Sequence, residues 1–160
     1  TDAGGTTAIN GGSISTTGAQ TFNDAVTLGA ATTLQASGAG AVITTASTVN
    51  SDAANTPRAL TVNASGGNVV IGAAVGSAAP LSSLAITASD IGLNGGAVTT
   101  TAGQTYTGPV TLGLDITLSG VGISLEQATR NVAAQLRALI NNNNSDATVV
   151  AGGTLVQGKP

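Results

Sequence analysis

The sequence predicts an all-β chain whose short strands stack as a β-solenoid (parallel β-helix-like), with an immunoglobulin-like β-sandwich as the alternative. Three observations carry this reading. Short β-branched runs alternate with Gly- and Asn-rich breakers, a long segment recurs at one fixed offset, and the hydrophobic residues include almost no rings. Short strands and frequent turns suit both architectures, whereas a long-period repeat favours stacked rungs that share one continuous core.

The repeat comes first. Ile9-Asn10-Gly11-Gly12-Ser13-Ile14-Ser15-Thr16-Thr17 is echoed by Leu93-Asn94-Gly95-Gly96-Ala97-Val98-Thr99-Thr100-Thr101. The match continues without a gap through Gln20-Thr21-Phe22 and Gln104-Thr105-Tyr106, then Val26-Thr27-Leu28-Gly29 and Val110-Thr111-Leu112-Gly113, and ends at Thr33-Leu34 and Thr117-Leu118. About half the positions in segments 9–34 and 93–118 are identical, too many for biased composition alone. The only two aromatics, Phe22 and Tyr106, fall at the same repeat position, so one kind of buried pocket is expected twice.

Strands are expected at Val42-Ile43, Leu60-Thr61-Val62, Val69-Val70-Ile71, Leu84-Ala85-Ile86, Ile116-Thr117-Leu118 and Val121-Gly122-Ile123. Ser65-Gly66-Gly67-Asn68 and Asn94-Gly95-Gly96 read as breakers between them. Alternation is clean at Val26-Thr27-Leu28 and Val110-Thr111-Leu112, with apolar residues on one face and Thr on the other. These features place a Thr/Gly-rich β-repeat region at 1–123. From 124 to 160 the pattern changes to a C-terminal α-helix and a short β-hairpin. Ser124 and Gln127 have capping-box spacing, and Leu125, Ala128, Val132, Leu136, Leu139 and Ile140 follow as a helical apolar stripe that Asn141 to Asn144 would end. Ala147 to Ala151, Gly152-Gly153 and Thr154 to Val156 read as the hairpin.

Composition excludes much chemistry. With 7 % charged residues, a net charge of −3 and scattered bases, no basic stripe exists for nucleic acid. The sequence has no His, Cys, Met or Trp, which removes thiol redox chemistry and imidazole catalysis, and no apolar run approaches the roughly 20 residues of a membrane span. The acids Asp2, Asp24, Asp52, Asp90, Asp115, Glu126 and Asp146 read as turn residues bonding nearby backbone rather than as a convergent catalytic pair. Catalytic, metal and cofactor sites are therefore expected to be absent. Regular Thr-x-Thr steps are not evident in the sequence, which weighs against an ice-binding array.

The Asn-Gly-Gly, Gly-x-Gln-Thr-aromatic and Val-Thr-Leu-Gly elements, with Gly72 to Leu84 as a further element, resemble the repeats of filamentous-haemagglutinin-like and autotransporter-like bacterial surface proteins. The resemblance covers about residues 1 to 120. It implies export to the extracellular space or cell surface and a structural or adhesive role; a carbohydrate- or ice-binding module using a Thr/Asn-rich face is the alternative. The chain opens partway through a repeat, so head-to-tail self-association or contact with neighbouring repeats is expected, with surface glycans as further candidate partners. Phe22, Tyr106 and the stripe residues Val132, Leu136 and Ile140 are the candidate structural and assembly residues.

Overall fold

The structure, a computed structural model, describes residues 1–2, 4–128, 148–151 and 154–157. Its strands are β1 (Thr6–Ile9), β2 (Ser13–Thr16), β3 (Gln20–Phe22), β4 (Ala25–Leu28), β5 (Thr32–Ala36), β6 (Val42–Thr45), β7 (Val49–Ser51) and β8 (Leu60–Ile71). They continue as β9 (Leu84–Leu93), β10 (Ala97–Thr99), β11 (Gln104–Leu112), β12 (Thr117–Ser119), β13 (Ile123–Ala128), β14 (Thr148–Ala151) and β15 (Thr154–Gln157). Every pairing between them is parallel except β14 with β15.

Parallel pairing of strands so close in sequence requires the chain to circle back onto itself, and it does so by way of three faces. Face one stacks β1, β4 and β7, then Val75 as a single bridging residue, then β10 and β12. Face two stacks β2, β5 and the first halves of β8, β9, β11, β13 and β14. Face three stacks β3, β6, the second halves of β8, β9 and β11, and the ends of β13 and β14, where Ala128 pairs with Val110 and with Ala151. This is the β-solenoid, of about five turns. The immunoglobulin-like sandwich is not adopted, because that fold is built from antiparallel ladders.

Strand alternation sends every second side chain inward, and parallel register puts like upon like. Val26, Val49, Val75, Val98 and Leu118 form one inward column, each at most 3 % exposed. Leu34, Val62, Ile86, Tyr106 and Leu125 form a second, and Ile43, Val69, Ile91 and Val110 a third. Each such side chain contributes about 1.5–3 kcal/mol when fully buried. With rungs about 4.8 Å apart, these small branched residues fill the interior without rings.

Of the strand expected at Val121-Gly122-Ile123 only Ile123 is extended, with Val121 exposed, and two further expectations are corrected. Ser124 to Gln127 do not begin a helix: Ile123–Ala128 is β13, which pairs with β11 so that Ile123 stacks on Gln104 and Leu125 on Tyr106. The inward columns offer burial for both residues (3 % and 1 % exposed), and that outweighs a local capping signal. Val132, Leu136 and Ile140 lie outside the described residues, as does the rest of the stripe beyond Ala128. The second correction is Ser65-Gly66-Gly67-Asn68, which does not break the chain into two strands. β8 runs through it as a bend, shifting register between Ala64 and Asn68 and turning from face two to face three. Gly67 permits the bend because a Cβ there would collide with the backbone carbonyl of Ala41. The expected hairpin is present as β14 and β15, with Val149 opposite Val156.

Candidate functional site

The two aromatics mark a repeated corner inside the solenoid. Phe22 is 6 % and Tyr106 0 % exposed, so both are core residues as their shared repeat position implied. Two residues before each, on the same inward side of the strand, lies a buried glutamine, Gln20 or Gln104. Gln20 Nε2 donates to Ile14 O (3.2 Å), Thr16 Oγ1 (3.1 Å) and Gln35 O (2.7 Å). Gln104 Nε2 donates to Val98 O (3.3 Å), Thr100 Oγ1 (3.3 Å) and Ser119 O (2.9 Å), the same partners one repeat later. Thr16 and Thr100 in turn donate their hydroxyls to Gly18 O and Ala102 O, both at 2.6 Å. Each glutamine thereby ties a corner of its own rung to the rung that follows.

The carbonyl ends of the two glutamines differ. Gln104 Oε1 accepts a hydrogen bond from the Tyr106 hydroxyl at 2.8 Å, and burial raises the phenol's pKa so that it stays neutral. Phe22 offers no hydroxyl, and Gln20 Oε1 is buried without a partner, as is Thr45 Oγ1 on the adjoining strand. The aromatics stand out in the sequence, and the glutamines do not. Their signal was present, since Gln-x-aromatic in a strand puts both side chains on one face.

The matching corners occupy different faces. Gln20 and Phe22 lie in β3 on face three, while Gln104 and Tyr106 lie in the first half of β11 on face two. Likewise β4 on face one corresponds to the second half of β11 on face three. The echo is therefore displaced by one side of the prism.

Outside, face two carries two columns of side chains that are polar except at Ala85. Ser13, Thr33, Thr61, Ala85, Thr105 and Ser124 align in one; Ser15, Gln35, Asn63, Thr87 and Thr107 align in the other. None of these residues is charged. Rungs of unequal length hid this alignment from sequence spacing.

Among the described residues the acids do not gather. Asp24 accepts from Gly5 N (3.1 Å) and Thr7 Oγ1 (2.9 Å), and the Thr7 hydroxyl is the main cause that holds its carboxyl below the usual range. Asp52 forms a two-point pair with Arg58, Nε to Oδ1 at 2.8 Å and Nη2 to Oδ2 at 3.0 Å, which lowers its pKa. Among the described residues no group of three or more acids could hold a metal ion, and no helix is long and apolar enough to cross a membrane. No protein-family model, curated protein or solved structure matches the chain.

Proposed function

We propose that this chain is a structural or adhesive segment of a large exported bacterial surface protein or extracellular fibre, and that it acts without catalysis. The observation that carries the reading is the continuous parallel ladder of three faces closed over inward columns of Val, Leu and Ile. Such a body resists bending because each rung is hydrogen-bonded to the next along its faces, and the Gln20 and Gln104 corners add buried bonds between rungs. Asp24 and Asp52 are held by structural partners, which favours a scaffold over a reaction centre. Strands β1, β2 and β3 lie at the edges of their sheets, which favours head-to-tail contact with another unit of the repeat. Electron microscopy and sedimentation of the isolated chain test this: rods that lengthen with concentration support it, and compact particles of fixed size refute it.

The uncharged columns on face two favour a second reading, a module that binds a neutral periodic surface such as an ordered polysaccharide or ice. Hydroxyls and amides repeat there about every 4.8 Å along the stack, with one interruption at Ala85. Co-sedimentation with insoluble polysaccharide and an ice-recrystallisation assay test it. Loss of retention in Thr61→Lys and Thr105→Lys, with the fold intact, is the supporting result.

A further inference from the structure

The echo supplies a template for what the open edge of the first rung receives. β1 lies on β4 as the second half of β9 lies on β11: Thr7 pairs with Val26 as Ile91 with Val110, and Ile9 with Leu28 as Leu93 with Leu112. In the later copy, the chain just before that segment also covers the neighbouring corner. Val75 O, Leu81 O and Ser82 O accept from Thr99 N, Thr101 N and Ala102 N, and Leu84 N donates to Gly103 O. Leu81 bridges to Thr100 and Leu84 sits over Gln104. The matching groups of the earlier copy are the amides of Ser15, Thr17 and Gly18 and the carbonyl of Ala19. Among the described residues none of these four groups has a hydrogen-bond partner across that edge. Among the described residues the far end is held by Thr1, whose amino group donates to Thr21 O at 2.8 Å and whose hydroxyl oxygen accepts from Asn23 N at 2.9 Å.

We propose that the edge from Ser15 to Ala19 is a docking site for a parallel strand of the pattern Leu-Ser-x-Leu, the pattern of Leu81 to Leu84, supplied by a neighbouring unit of this same repeat. The first leucine takes its place over Thr16 and the second over Gln20, while the strand's carbonyls accept from Thr17 and Gly18. This site rests on the head-to-tail reading and specifies its contact. The recognition mode is strand addition, in which backbone bonds give affinity and alternate side chains give selectivity.

The test uses the whole chain and a synthetic peptide with the sequence of residues 79–86. Hydrogen exchange by NMR is expected to slow about tenfold or more at Thr17 and Gly18 on adding peptide, with a control peptide carrying Ser in place of both leucines leaving exchange unchanged. Thr17→Pro is expected to keep the fold, since a proline is tolerated where an edge amide is unbonded, and to abolish the protection at Gly18. Unchanged exchange at these amides, or equal protection by the control peptide, overturns the site. If the chain still forms rods in that case, the head-to-tail reading stands and only this contact is wrong; if it forms none, both fail.

Discussion

Exchanging the two aromatics isolates one hydroxyl at the repeated corner. In Tyr106→Phe the ring stays in a site that is 0 % exposed, but Gln104 Oε1 loses its 2.8 Å donor and becomes a buried acceptor without a partner. Leaving such a group unpaired costs about 1–3 kcal/mol. Phe22→Tyr runs the other way. The new hydroxyl is carried two residues from Gln20, whose Oε1 is buried and unpartnered, and it has Thr45 Oγ1 on the adjoining strand as a second candidate partner. A net hydrogen bond formed there contributes roughly 0.5–1.5 kcal/mol. Urea unfolding followed by far-ultraviolet circular dichroism reads both changes as shifts of midpoint at constant slope. The double variant is expected to be close to the sum of the two, because the corners lie on different faces and share no hydrogen-bond partner. A neutral Tyr106→Phe together with a destabilising Phe22→Tyr would refute the argument that glutamine and ring act as one unit.

Truncating either ring to Ala is expected to cost about 3–5 kcal/mol in the same assay, since both are core residues and the site has no other ring to relax into it. Gly67→Ala should cost about 3 kcal/mol, near the top of the range for overpacking, because the colliding atoms belong to the Ala41 backbone rather than to a side chain that can swing away. The lowered pKa of Asp24 gives stability that is fully present above about pH 4 and is lost as pH falls through the folded value. Asp24→Asn is therefore expected to be less stable than the parent at neutral pH, with the gap closing in acid, as unfolding curves from pH 7 to pH 2 would show. Spin labels at Thr44 and Thr111, which stand on face three, should lie closer together than labels at Thr27 and Thr111, which the echo equates but the prism separates. Electron-electron resonance distances decide that ranking.

Much of the fold was legible because its driving force is local in pattern. Alternation at Val26-Thr27-Leu28 and Val110-Thr111-Leu112 declared the inward side of each strand, and the recurrence of the aromatics marked a shared core position. The failures came where long-range pairing decided between local options. Ser124 to Gln127 offers a good helix start, yet two inward columns over Gln104 and Tyr106 extend to Ile123 and Leu125, and a strand satisfies both. Ser65 to Asn68 has turn composition, yet strands on both sides hold the backbone extended through the bend. The glutamines were overlooked for a related reason: an amide in a Thr- and Asn-rich chain looks like surface until its three acceptors are known.

The one-face displacement of the echo says what kind of information the repeat holds. Had the unit encoded a whole number of turns, Gln20 and Gln104 would share a face, and the unit would be fixed to the solenoid by the shape of particular corners. Instead the same bonds to a preceding strand, to a threonine hydroxyl and to the following rung form on face three and again on face two. The flanking glycines move with them: a Cβ at Gly29 would strike Asn10 Oδ1, and one at Gly113 would strike Asn94 Oδ1. The motif thus specifies a corner relative to its neighbours rather than a location on the prism. Similar sides make that sufficient, because inward columns of Val, Leu and Ile line each of them and two of the three accept the Gln-x-aromatic strand. Rung length is then free to vary, as it does where the loops between Ser51 and Leu60 and between Val75 and Leu84 widen two successive turns without disturbing the columns.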